Sequence, residues 1–121
     1  MKKRNLKKLK WFKRLTFVKN IVFDAQDLKQ KGSRFQIVKF KPGTKIDSHY
    51  HKKVYEIFYI RDGKGILKIN SRKHKLQKDD IFLCEPGDKH SFENTGKKDL
   101  TILVFKTNET TKAPNKDIHW G

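Results

Sequence analysis

Three histidines and one glutamate are the residues of this sequence whose types and spacing can do chemistry together. His49 and His51 stand two apart in a segment that enters a strand. Alternation turns both imidazoles to one face, about 6.6 Å apart along the chain. Two imidazoles so placed can meet on one ion, each through a nitrogen at about 2.1 Å. Glu56 follows five residues later, in the apolar run 54–60. A tight return after His51 lays that run antiparallel beside the pair and aims the carboxylate at the same point. An ionised carboxylate among apolar neighbours needs a partner, which a metal ion, a Lys or an Arg can supply. His90 stands just beyond Pro86 and Gly87, at the beginning of a further strand. The four donors together make an octahedral site with two positions open.

Holding these donors in place requires a scaffold of short strands. Apolar runs recur at 17–23, 35–40, 54–60, 66–69, 81–84 and 100–105, rich in Phe, Ile, Val and Tyr. Turn residues separate most of them, among them Lys41-Pro42-Gly43, Arg61-Asp62-Gly63, Asn70-Ser71, Glu85-Pro86-Gly87-Asp88 and Asn94-Thr95-Gly96. Short strands at such regular spacing predict an all-β barrel or sandwich, with only 24–31 left for a turn of helix. The expected organisation is a basic leader over 1–16, flexible or helical, then a single domain over 17–108. A polar tail over 109–121 wraps the surface or frays.

Charge is the other conspicuous feature. Thirty Lys and Arg against 13 Asp and Glu give the 121 residues a formal charge of +17. Such a balance invites nucleic acid or an anionic membrane as partner. Nine of the basic groups lie within residues 1–19, which hold no acid, so about half of the excess belongs to the leader. Leu6, Leu9, Phe12 and Leu15 recur there every three residues, with Trp11 off the row. A helix smears that spacing over about half its circumference, a weak amphipathic signal. An aromatic content of 12% argues against a disordered chain. No apolar run approaches the roughly 18 residues of a membrane span, and no signal-peptide core follows the basic start. A cytoplasmic location is the expectation. Cys84 is the only cysteine, which excludes an intrachain disulfide and a multi-cysteine zinc site. It is expected as a small buried hydrophobe.

The spacing of the metal-ligating residues resembles the cupin family. Gly43, five residues, His49-Tyr50-His51, four residues, Glu56, six residues and Gly63 fill every defined position of the first cupin motif. In the second motif Gly87, His90 and Asn94 match, while Asp79 and Glu85 replace the usual Gly and Pro at turn positions. The resemblance covers residues 35–105 and implies a double-stranded β-helix, a jelly-roll barrel of two facing sheets. Carried over residue by residue, it implies His49, His51, Glu56 and His90 as ligands of one divalent transition metal ion. Fe, Mn, Zn, Ni and Co all suit such a site. The resemblance also implies a homodimer, for which the apolar strand 17–23 offers cover for a sheet edge or a crossing to the partner.

Alternation away from the ligands predicts the pocket lining. With Glu56 inward, Phe58 and Ile60 follow; with His90 inward, so do Phe92 and Asn94. The walls are then mostly apolar, with Asn94 as a polar contact. The leading expectation is a small metalloenzyme acting on a small oxygen-bearing molecule such as a sugar or carboxylate, of dioxygenase, isomerase or decarboxylase/lyase type. The alternatives are a non-catalytic ligand-binding or sensor domain, and a basic scaffold for nucleic acid or a membrane surface. Catalytic residues stay unknown at this level. Tyr50, Tyr55, Tyr59, Lys39 and Glu85 are the nearest proton carriers in sequence. Tyr50 is expected to face away from the histidines, and Lys39 holds an anionic substrate if its strand turns it inward. His74 and His119 lie outside both motifs and are expected at the surface.

Overall fold

Strand parity decides which residues the barrel encloses. In the computed structural model, which describes residues 1–14, 16–109 and 117–121, β3 (Arg34–Phe40) turns Gln36, Val38 and Phe40 inward. Lys39, of opposite parity, points out and lies over the Trp11 ring, 4.4 Å from its centroid. The other strands of this sheet are β1 (Phe12–Lys13), β2 (Val18–Phe23), β5 (Tyr55–Asp62), β8 (Ile81–Cys84) and β10 (Leu100–Thr107). They hydrogen-bond in the order β1-β2-β3-β10-β5-β8. The second sheet runs β11-β4-β9-β6-β7, from β4 (His49–Tyr50), β6 (Gly65–Ile69), β7 (Arg72–Leu76), β9 (His90–Asn94) and β11 (His119–Trp120). Two facing antiparallel sheets with one helical turn, α1 (Ala25–Leu28), make the expected all-β jelly-roll barrel. No helix among the described residues is long and apolar enough to cross a membrane.

The core lies between the sheets and toward one end. Ile60, Leu67, Leu100 and Ile102 are almost fully buried there, with Val38, Phe40, Phe58, Leu76, Phe92 and Val104 around them. Each such side chain contributes about 1.5–3 kcal/mol by leaving water. Asn94 shares this core, 1% exposed. Its amide donates to the carbonyls of Phe40 and Lys98, and its oxygen accepts from Gly96 N–H. That set of bonds ties the turn after β9 to the end of β3.

Local chemistry explains the turns. Asn70 and Ser71 have φ of +48° and +72°, the two positive values that a two-residue hairpin between β6 and β7 requires. β7 escapes the apolar pattern because Arg72-Lys73-His74-Lys75 is polar; it is an edge strand, guarded by its lysines. Asp79 stands where the second cupin motif usually has Gly, and its φ is +74°, a left-handed conformation that Asp tolerates better than most residues.

The basic leader lies against the first sheet, with a short 3₁₀ turn at Leu6–Lys8 and β1 paired to β2. Lys2 and Arg4 approach the Asp27 carboxylate, at 2.6 and 4.0 Å, and Asn20 donates to the Lys10 carbonyl. Leu15 of the leader's apolar row, and 110–116 of the tail, lie outside the described residues. β2 pairs with β3 of its own chain, so the apolar run 17–23 covers a sheet edge within the chain.

Candidate metal centre

β4 and β9 face one another with His49 opposite His90, and two residues along from His49 the chain carries His51. The ring nitrogens available for ligation on the three histidines lie within 4.8 Å of one another. β5 brings Glu56 from the other sheet: its Oε1 is 2.7 Å from His51 Nε2 and 3.5 Å from His90 Nε2. The two motifs are stitched together where Gly87 N–H donates to the His51 carbonyl at 2.7 Å.

Each imidazole is oriented by a backbone carbonyl. Nδ1 of His49 faces the Asp47 carbonyl at 3.1 Å, that of His51 faces Asp117 at 2.7 Å, and that of His90 faces Asp88 at 3.0 Å. A carbonyl only accepts, so Nδ1 carries the proton in all three rings. Nε2 is then the lone-pair nitrogen in the neutral form, turned to the centre. Glu56 Oε1 and His51 Nε2 are buried, and neither has a well-directed hydrogen bond among the described residues. Two lone pairs 2.7 Å apart repel unless a cation lies between them. Three neutral imidazole nitrogens and a carboxylate are a donor set that fits a divalent transition metal ion.

Electrostatics favours the ligating forms of His49 and Glu56. Burial, and then the neighbouring His90, push His49 down to about 4, so it is neutral at pH 7. Burial works against ionisation of Glu56, yet Lys106, His51 and His90 together hold its carboxyl well below the usual range. Lys106 Nζ stands 3.9 Å from Glu56 Oε2. The carboxylate thus has a basic partner on one oxygen and the histidines on the other. His51 is burdened by burial, but contact with Glu56 raises its pKa.

The four donors line a cavity of about 630 Å³ that opens between the sheets. Of the residues expected around it, Phe58 and Phe92 do line it. Ile60 and Asn94 do not: they have the inward parity but lie deeper, packed into the closed core. The walls are mostly apolar, but a group of cations joins them. Arg14, Lys19, Arg34, Lys45 and Lys106 all border the cavity, while Lys39 points away from it. Arg34 shares the parity of Val38 and Phe40, so it turns inward with them once the parity of β3 is known.

Other residues resolve simply. Tyr50 is stacked on His119, ring centroids 5.0 Å apart, on the side of β4 away from the centre. His119 is half-buried there rather than at the surface, with Nε2 3.2 Å from Asp117 Oδ1. His74 lies near Phe82, outside the site. Cys84 is buried, as expected, with Sγ 3.2 Å from His90 Nδ1. Burial, followed by Glu56 and Asp88, pushes its thiol up to about 12. The tail supplies the largest surprise. Asp117 is buried, accepts hydrogen bonds from Lys52 N–H and Lys53 N–H, and positions His51 through its carbonyl. Trp120 then packs beside His49, at 5.4 Å. Nothing in the residue pattern marks Asp117, because a polar tail carries no periodicity.

Comparison with known proteins agrees with this geometry. The family described as Cupin domain matches residues 36–106. An oxalate-binding protein of Thermotoga maritima is 33% identical over 83 residues, covering 69% of this chain and 69% of that protein. A solved Thermotoga maritima structure described as a predicted oxalate decarboxylase superposes with a TM-score of 0.78 at 23% identity, over 85% of this chain and 96% of that one. The polyketide cyclase RemF of Streptomyces resistomycificus superposes with a TM-score of 0.82 at 16% identity, over 99% and 84%. At those identities the structural likeness is one of fold.

Proposed function

The chain belongs to the cupin domain family, and we propose that it holds one divalent transition metal ion through His49, His51, His90 and Glu56 and acts there on a small oxygen-bearing molecule. The observation that carries this reading is the orientation of the three imidazoles, each with Nδ1 against a backbone carbonyl and Nε2 turned to Glu56 or its neighbours. Packing alone gives no reason for three rings to be fixed in the same sense around one buried carboxylate.

When bound, the ion supplies Lewis acidity or, if redox-active, one-electron chemistry toward dioxygen. The chain supplies the rest. Phe58 and Phe92 give the inner cavity an apolar surface that excludes water, and Trp120 stands beside His49. Lys106 is positioned to hold an oxyanion next to Glu56 or to carry a proton there. A small carboxylate suits this combination, and the name of the Thermotoga maritima relative supports that class. The same name favours, as a second reading, a domain that binds such a molecule without turning it over.

The proposal includes a homodimer. Tyr55, Ile57, Ile81 and Leu83 are exposed on β5 and the edge strand β8, with Ile57 directly across from Leu83. A second copy covers such a face, and sedimentation of the purified chain tests it. For the centre itself the test is metal analysis after native purification, followed by a panel of small carboxylates and sugars under air with Fe(II) and with redox-silent ions. Turnover with any ion supports the enzyme, and binding without turnover across all of them supports the second reading. Under about 0.2 ion per chain, with no uptake on titration, overturns the metal centre.

A further inference from the structure

The wall of the cavity beside Glu56 is a row of cations. Arg34 on β3, Lys106 on β10 and Glu56 on β5 stand directly across from one another in register. Neighbouring strands lie about 4.8 Å apart, which sets the two cations roughly 5 and 10 Å from the strand that carries the carboxylate. Lys19 joins them from β2, where it is opposite Val38, and Arg14 reaches the same cavity from the leader.

These charges are poorly compensated. Glu109 meets Arg34 at 3.2 Å through one terminal nitrogen, while the Arg34 Nε is buried with no hydrogen-bond partner among the described residues. Lys19 is half-buried, and burial, then Arg34, Arg14 and Lys106, press its ammonium down to about 8. Crowded cations on an inward wall repel one another, unlike lysines on a solvated face. Placing a divalent ion beside Lys106 adds to that repulsion, and Glu56 is the one carboxylate shared between them. An anion between the metal and the wall relieves both.

We propose that Arg14, Lys19, Arg34 and Lys106 form an anion subsite, which takes the acidic group at the far end of an elongated ligand whose near end meets the metal. The group is a carboxylate or a phosphate, which share charge and acceptor geometry. This rests on the reading of His49, His51, His90 and Glu56 as a metal centre. A cavity of about 630 Å³ has room for such a ligand and is far larger than a two-carbon dianion needs. Part of the basic leader therefore serves the cavity through Arg14, beside Lys19 of β2.

The experiment is isothermal titration calorimetry on the full chain, metal-loaded and after chelation, with propionate, succinate, 3-phosphonopropionate and inorganic phosphate. On loaded protein, succinate or 3-phosphonopropionate binds about tenfold or more tighter than propionate, and the better of the two names the acidic group. Lys19→Met and Arg34→Met each remove most of that advantage, while propionate affinity and metal content stay as in the wild type. Lys19→Met melts no lower than the wild type, because it removes a repelling charge, so loss of the fold does not mimic the result. Equal affinity for propionate and succinate, or dianion affinity unchanged in both variants, overturns the subsite. Chelated protein separates the two readings: inorganic phosphate binding that Lys19→Met weakens upholds the subsite even if the chain takes up no metal. Metal uptake together with succinate, 3-phosphonopropionate and phosphate binding that depends on neither Lys19 nor Arg34 upholds the centre and removes the subsite.

Discussion

Replacing Asp117 by Ala is expected to loosen the metal centre while the barrel stays folded. The carboxylate accepts from Lys52 N–H at 2.9 Å and Lys53 N–H at 3.0 Å, and the carbonyl of the same residue faces His51 Nδ1 at 2.7 Å. Hydrogen bonds to a charged acceptor contribute about 1.5–3 kcal/mol each, so the pair holds the tail with roughly 3–6 kcal/mol. Ordering the four residues from Asp117 to Trp120 costs about 1–2 kcal/mol apiece, or roughly 4–8 kcal/mol. The remaining support is two register pairs of β11 with β4, Gly121 N–H to the Ser48 carbonyl at 3.1 Å, and the ring contacts of His119 with Tyr50 and of Trp120 with His49. With the two totals comparable, losing the carboxylate tips the tail toward undocking, and His51 loses the carbonyl that fixes its ring. Removing such an orienting partner costs about 10–100-fold in metal affinity. Competition between the protein and a chromophoric chelator for Zn(II) reads that loss, and thermal melts of metal-free protein shift by only a few degrees. Asp117→Asn keeps one acceptor oxygen and falls between Ala and wild type. An Asp117→Ala protein that binds metal within about twofold of wild type refutes the reasoning.

Three further outcomes follow from the same geometry. Asn94→Ala strands the carbonyls of Phe40 and Lys98 in the core, so denaturant melts should show a loss of about 2–4 kcal/mol, with metal content of the folded protein unchanged. Lys19 holds its proton less tightly when folded, at about 8, than in the unfolded chain, near 10.5. The unfolded state therefore binds more protons between those values, stability rises with pH across that window, and Lys19→Met flattens the rise in a pH series of melts. Cys84, with its thiol pushed to about 12, should resist iodoacetamide at pH 8 in native protein and react once the chain is denatured.

How far the sequence reaches depends on which physics places a residue. His49, His51, Glu56 and His90 are legible because two motifs fix their spacing and strand alternation fixes their side. The same alternation puts Phe58 and Phe92 on the inward side but says nothing about depth, which is why Ile60 and Asn94 end in the core and not on the cavity wall. Lys39 was open for want of its strand's parity, and Arg34 on that strand is the inward cation instead. The net charge of +17 suggests a property of leader and surface. Only the pairing of β2, β3, β10 and β5 reveals that Lys19, Arg34 and Lys106 share one wall, which Arg14 joins from the leader. Asp117 and β7 carry no apolar period at all; long-range hydrogen bonds place the first and hairpin pairing the second.

The most direct test of the central claim is anomalous diffraction from crystals of the metal-loaded chain, measured on both sides of the absorption edge of the bound ion. One peak per chain is predicted, about 2.0–2.2 Å from Nε2 of His49, His51 and His90 and from a Glu56 oxygen. A peak on other residues, or fully loaded crystals with no peak between β4, β5 and β9, contradicts the account.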